Sequence, residues 1–153
     1  MHVNVRELNP NEEPPFHLLL LADPSVDLVR EYIQRGSCFI TELDGKAVGT
    51  YVLLPTRPGT AELVNVAVDE ACRNRGLGKQ LVLHAINEAR ARGYKTIEIG
   101  TSTTSKLQIA LYKKCGFHIT YIDEGFFIRH YDEPIFENGL RVKDMVRMAL
   151  HIQ

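Results

Sequence analysis

A single α/β domain built around one mixed sheet is the fold class the sequence predicts, and three observations carry that reading. The chain has 153 residues, 44% hydrophobic and 24% charged, enough for one well-buried core and too apolar for a disordered chain. Asp44-Gly45 separates two apolar segments, the dipeptide that supplies positive φ angles in a two-residue hairpin turn, so an antiparallel pair is expected. From Thr60 to Cys115 the pattern runs strand, helix, strand, helix, which is the signature of a parallel crossover.

The elements follow in order. Val3, Val5 and Leu8 mark a short first strand, stopped by the Asn9 to Pro15 loop. Phe16 to Leu21 and Val26 to Arg35 read as helices, the second capped by Ser25, ended by Gly36 and apolar along Leu28, Val29, Tyr32 and Ile33. Cys38 to Leu43 and Lys46 to Leu54 form the hairpin, and Pro55 to Gly59 is read as a loop. Thr60 to Val68 is apolar on both faces, as a strand in mid-sheet requires. Gly76 to Arg92 carries a helical stripe of Leu77, Leu81, Val82, Ala85, Ile86 and Ala89, an i,i+4 pair of Glu88 with Arg92, and Gly93 as its stop.

Thr96, Ile97 and Ile99 give the next strand, and Ser105 with Gln108 reads as a capping box that opens a helix through Cys115, closed by Gly116. Phe117, Ile119 and Tyr121 alternate into another strand. Val142, Asp144, Val146, Met148 and Leu150 share one parity in a last strand. Between these, Glu124 to Leu140 reads as an aromatic and acidic loop, too long for a hairpin turn and of the length at which loops are functional or disordered.

Charge and cysteine usage narrow the function classes. Lys and Arg number 18 against 19 Asp and Glu, so no net field gathers nucleic acid or an anionic membrane. Cys38, Cys72 and Cys115 are widely spaced and lack CxxC pairing, which speaks against a disulfide framework or a thiolate metal site and fits a reducing cytoplasm. His84 and His118 show no metal spacing either. The longest apolar run, Leu18 to Ala22, is five residues, and Met1 to Glu7 is polar, so neither a membrane span nor a signal peptide is expected.

Chemistry concentrates in Arg73, Asn74, Arg75, Gly76, Leu77, Gly78 and Lys79, between a central strand and the first turn of the long helix. Glycines let a ligand approach the backbone, orphan amides at a helix N-terminus attract anions, and Arg73, Arg75 and Lys79 add positive charge, so a pyrophosphate fits. A turn that needs glycine and basic residues that aid solubility is the other reading. Lys79 is followed by Gln80, which removes the P-loop hydroxyl, and Leu81 stands where a dinucleotide fingerprint needs glycine, so nucleoside triphosphate and NAD fit badly.

Leu63-Val64-Asn65-Val66-Ala67-Val68, Arg73-Asn74-Arg75-Gly76-Leu77-Gly78, and, after a helix and a strand, Leu111-Tyr112-Lys113-Lys114-Cys115-Gly116-Phe117 together resemble the GNAT superfamily of acetyl-CoA-dependent N-acetyltransferases, over roughly residues 38 to 123. The resemblance implies a mostly antiparallel sheet of about seven strands, splayed between the fourth and fifth and flanked by about four helices. Acetyl-CoA would enter that gap, its pantetheine arm on the main chain of Val66, Ala67 and Val68 and its pyrophosphate on Arg73 to Lys79. Tyr112 occupies the place of the family's tyrosine beside the coenzyme sulfur, a general acid for the leaving thiolate; as a helical tyrosine it also reads as core. Ser105 stands where the family often has an asparagine on the pantetheine, and Gln108 where a small residue is common.

An alkylamine of pKa about 10 must lose a proton before it attacks. Glu62, in a context similar to the family's histone acetyltransferase branch, is the candidate base, with a solvated strand-end carboxylate as the alternative. In the 124–140 insertion and its flank, Asp123, Glu124, Asp132, Glu133 and Glu137 outnumber Arg129 and form a rim suited to a cationic amine. Phe126, Phe127, Tyr131 and Phe136 either line its apolar part or fix the insertion to the sheet. The resulting expectation is one domain over residues 1–153 that moves acetyl from acetyl-CoA to a primary amine by direct attack, with no metal and no cysteine carrier. A coenzyme A binding or sensing module without turnover is the rival, and a homodimer is compatible with the sequence.

Overall fold

The computed structural model describes residues 3–152. Strands β1 (Val5–Glu7), β2 (Ser37–Leu43), β3 (Lys46–Arg57), β4 (Thr60–Val68), β5 (Thr96–Ser102), β6 (His118–Asp123) and β9 (Met145–His151) form one sheet in the order β1-β2-β3-β4-β5-β9-β6. β7 (Ile135–Glu137) and β8 (Leu140–Val142) form a separate hairpin. Every pairing is antiparallel except β4 with β5.

Helices α1 (Phe16–Ala22) and α2 (Val26–Arg35) cover one face, where Leu19, Val29 and Tyr32 meet Cys38, Val52 and Leu54. Helices α3 (Leu77–Ala91) and α4 (Lys106–Lys114) cover the other, and the whole predicted stripe of α3 is buried there against Tyr51, Leu63, Ile97 and Met148. The apolar spacing of α3 explains its seat, since each fully buried leucine contributes about 1.5–3 kcal/mol relative to exposure. Ser25 caps α2 as expected, accepting from the Leu28 amide at 3.2 Å, and Arg92 pairs with Glu88 at 2.7 Å. No helix among the described residues is long and apolar enough to cross a membrane.

Two features of β4 make room for a ligand. Its parallel ladder with β5 runs only from Thr60 opposite Thr96 to Leu63 opposite Ile99, after which both strands continue without each other. Facing β3, Val52 pairs with Asn65 and Leu53 with Leu63, so Val64 is an extra residue in a bulge at the point where the sheet opens.

Several expectations need correction. Pro55 to Gly59 is not a loop: β3 continues to Arg57. β2 begins at Ser37 opposite Leu53, so beyond that pair β3 has a neighbour only in β4, and the missing proline N–H interrupts no second ladder. Residues 124–140 are not an irregular loop but contain a short helix, α5 (Phe126–His130), and most of the β7–β8 hairpin, turned by Asn138 and Gly139, both with positive φ. That makes five α-helices among the described residues rather than four. Val142 belongs to β8 rather than to the last strand, and Asp144 lies between them, its carboxylate accepting from the Gly125 amide at 2.8 Å.

Candidate functional site

Beyond Val68 the chain makes a short 3-10 turn, Glu70–Cys72, stabilised by the Asp69 carboxylate accepting from the Ala71 amide at 2.9 Å. Asn74 and Gly76 then take φ of 64° and 77°, and this left-handed pair redirects the backbone into α3. A Cβ on Gly76 would meet nothing within 4 Å, so the need for glycine is conformational rather than steric. Gly76 offers no side-chain cap, and the first intrahelical bond runs from the Gln80 amide to the Gly76 carbonyl at 3.1 Å. The amides of Leu77, Gly78 and Lys79 have no acceptor among the described residues and stand at the positive end of a 15-residue helix.

These amides open onto a cleft of about 710 Å³ between β4 and the diverging β5. It is the size of a small-molecule or cofactor site, typically about 300–1,000 Å³. Of the residues singled out in the sequence, Val66, Ala67, Val68, Arg73, Asn74, Gly76, Leu77, Gly78, Lys79, Ser105 and Tyr112 all line it. Arg75 and Glu62 lie outside the lining. Arg73 is held across the entrance by its Nε donating to the Val68 carbonyl at 3.4 Å.

Tyr112 forms part of the wall from α4. It is 7% exposed, edge-on to Phe117 at 6.3 Å, and its hydroxyl has no hydrogen-bond partner among the described residues. Burial, reinforced by Cys115 nearby, pushes its pKa up to about 12, so the oxygen keeps its proton. Burial also raises the Cys115 thiol, which removes the thiolate a cysteine nucleophile would need.

Ser105 does not cap α4, and the expected box with Gln108 does not form. Its hydroxyl donates instead to Glu137 at 2.8 and 3.1 Å, and Thr104 donates to the same carboxylate at 3.1 Å. A carboxylate is the stronger acceptor, and the β7–β8 hairpin delivers one. Glu137 thereby enters the cleft wall and ties the 124–140 insertion to α4.

Glu62 sits at the last turns of the ladder before the sheet opens. It pairs with Leu54, which is buried under α1 and α2, so Glu62 faces that side and not α3. Across the parallel ladder it stands opposite Glu98, and Arg147 on β9 reaches both, at 3.3 Å to Glu62 and 4.0 Å to Glu98. Glu98 is also paired with Arg57 at 2.5 Å.

A buried polar chain that sequence reasoning missed lies beside this group. The Asp23 carboxylate accepts from the Tyr32 hydroxyl at 3.1 Å and from the Tyr131 hydroxyl at 3.0 Å. The Tyr32 oxygen in turn accepts from Asn65 Nδ2 at 2.9 Å, and Asn65 also donates to the Leu19 carbonyl at 3.0 Å. Burial first, and the Asp23 charge after it, raise both tyrosines above their ordinary range. The insertion is thus fastened to the α1–α2 connection. Its aromatics pack largely on one another, Phe126 on Phe127 at 5.0 Å and Phe127 on Tyr131 at 5.6 Å, and Phe136 stays exposed. The expected acidic rim is partly consumed, since Asp123 pairs with Arg129 at 2.6 Å and Glu137 is engaged by Ser105.

The acetyltransferase (GNAT) family model matches residues 5–117. An uncharacterized N-acetyltransferase of Bacillus subtilis (strain 168), YvbK, is 55% identical over 137 residues, which is 90% of this chain and 88% of that protein. The crystal structure of a Bacillus subtilis acetyltransferase in complex with CoA matches with a TM-score of 0.93 at 49% identity, over 99% of this chain and 100% of the other. A GNAT family acetyltransferase from Elizabethkingia anophelis with acetyl-CoA bound gives 0.95 at 37% identity, over 98% of each chain.

Proposed function

The chain belongs to the acetyltransferase (GNAT) family, and from that premise we propose how its residues carry the transfer and to what acceptor. It is an acetyltransferase with acetyl-CoA as co-substrate. The acceptor is a primary amine, attacked directly. What carries this reading is the four-residue parallel ladder of β4 with β5, which opens a cleft having free helix amides toward one end and the unpartnered Tyr112 hydroxyl in its wall.

Bound acetyl-CoA supplies an activated thioester carbonyl. The amides of Leu77, Gly78 and Lys79, with the charges of Arg73 and Lys79, hold its pyrophosphate. The main chain of Val66, Ala67 and Val68 lies beyond the β5 ladder and takes the pantetheine arm, the Val68 carbonyl also accepting from Arg73, while Ser105 and Gln108 line the far wall. The amine nitrogen bonds to the carbonyl carbon as the carbon–sulfur bond breaks. Tyr112 donates its proton to the departing sulfur, and the nitrogen's second proton leaves through water as the amide forms, restoring the Tyr112 hydroxyl. The ammonium first gives up its proton to Glu62, through water because Glu62 stands outside the cleft lining.

The insertion closes the acceptor side, held by Tyr131 on Asp23 and Glu137 on Ser105. Free Cys38, Cys72 and Cys115 support a reducing, cytoplasmic setting. The test is turnover: the protein, acetyl-CoA and a panel of amines, amino acids and peptides, with thiol release followed over time. Release that depends on the amine is expected. Binding of acetyl-CoA with no release from any member of the panel would make the chain a coenzyme-binding module instead.

A further inference from the structure

We infer that the acceptor is an α-amino acid, its amine presented to Glu62 and its carboxylate held by Arg147; the inference rests on the acetyl-transfer reading above. Glu62, Glu98, Gly100 and Arg147 share one face of the sheet, because Glu62 pairs with Glu98 and Gly100 with Arg147. This is the face that looks toward α1 and the insertion, and Gly100 lines the cleft where β5 leaves β4. A Cβ at Gly100 would lie 2.8 Å from Arg147 Nη1 and 2.5 Å from the Met145 sulfur, so both side chains would have to shift to admit one. The guanidinium therefore lies over bare backbone at the margin of the cleft, just outside its lining, as Glu62 does.

Arg147 is oddly under-used for so enclosed a cation. Its side chain is 14% exposed, yet its hydrogen bonds are both made by Nη1, to Glu62 at 3.3 Å and to the Met145 thioether, a weak acceptor, at 3.2 Å. Nε has no hydrogen-bond partner among the described residues, and Nη2 has only the long ion contact with Glu98 at 4.0 Å. A planar fork with spare donors is the group that takes a carboxylate through two parallel bonds.

Charge balance points the same way. Glu62 is matched by Arg147 and Glu98 by Arg57, so the four side chains are neutral together. A plain cation would gain little from such a quartet, whereas a zwitterion lays each pole against its opposite. The Glu62 and Arg147 poles are adjacent, which asks for an ammonium and a carboxylate separated by one carbon.

The experiment measures kcat/KM for matched acceptors, an α-amino acid, its carboxamide and its decarboxylated amine, with the full chain and acetyl-CoA. The amino acid should be preferred by at least about 10²-fold, in line with the loss expected when a buried charged donor is left unpaired. Arg147→Gln should collapse that preference to within about threefold, and Arg147→Lys, which keeps charge without the fork, should restore part of it. Thermal melts of both variants separate a folding defect from a change in preference. An equal rate for amino acid and decarboxylated amine, or a preference that survives Arg147→Gln even as both rates fall, would overturn the inference while leaving acetyl transfer intact. No turnover of any of the three, while other amines or peptides of the wider panel are acetylated, would overturn the inference alone; no turnover of either set would remove both readings.

Discussion

At the Arg73 to Lys79 end of the cleft the groups proposed to bind are consecutive main-chain amides at the start of α3, fixed by two left-handed residues and indifferent to most side chains. At the Glu62 end they are side chains from β4, β5 and β9, from the α1–α2 connection and from the insertion, each held by a partner far away in the chain: Glu62 and Arg147 are 85 residues apart, Asp23 and Tyr131 108. In the proposed reading the backbone-built end takes the coenzyme, and the side-chain-built end can change its acceptor without disturbing it. Substitutions should therefore act differently at the two ends, through conformation at the first and through chemistry at the second.

The largest effect is expected at the first end. Gly76→Pro removes an amide and demands φ near −65° where the chain holds 77°, so acetyl-CoA affinity should fall by more than about 100-fold in calorimetry. Circular dichroism should show α3 retained, since its buried stripe is untouched. Parent-like binding would place the pyrophosphate elsewhere.

At Tyr112, between the two ends, Tyr112→Phe keeps the ring against Phe117 and removes only the proton, so kcat should fall by roughly 10² or more with coenzyme affinity nearly unchanged. The pH dependence has a definite sign. Burial lifts the phenol to about 12, above its ordinary value near 10, so the donating form persists through about pH 10 and is lost only as pH rises through the folded value. A kcat that declined between about pH 8 and 10 in the parent and not in the phenylalanine variant would contradict this placement.

The contrast between the ends also explains what the sequence could reveal. The glycine loop, the α3 stripe and the Asp44-Gly45 hairpin are local patterns, and each was legible because the residues that determine it are neighbours in the chain. Asn138-Gly139 is the same kind of turn dipeptide, but the three-residue strands beside it carry too little alternation to mark a hairpin. Pro55 reads as the start of a loop, since nothing in the sequence says that β2 stops short of it. Arg147 gave no signal at all. Its meeting with Glu62 depends on β9 entering the sheet between β5 and β6, and strand order is decided by the whole fold.

Glu62 tests the second end through chemistry. Glu62→Gln keeps the reach to Arg147 and removes the basicity, so kcat/KM should drop by about 10² near neutral pH. The deficit should narrow at about pH 9–10, where a growing share of an amine with pKa about 10 is already neutral. A deficit of the same size at every pH would make Glu62 an anchor for the acceptor rather than its base.

Arg75 should show the smallest effect, and it probes whether the first end is built from backbone. Its side chain belongs to the same basic run as Arg73 and Lys79, but it does not line the cleft, whereas Arg73 is tethered to the Val68 carbonyl at its edge. An exposed charge acting across solvent is screened beyond about 8–10 Å at ordinary ionic strength. Arg75→Ala should therefore weaken acetyl-CoA by no more than about threefold in low salt, a difference that vanishes as salt is raised, while Arg73→Ala keeps a larger part of its loss. If Arg75→Ala instead cost as much as Arg73→Ala and the loss resisted salt, a side chain outside the lining would be a direct ligand of the phosphates. The amides of Leu77, Gly78 and Lys79 would then be supporting a side-chain site, and the two ends of the cleft would be built alike.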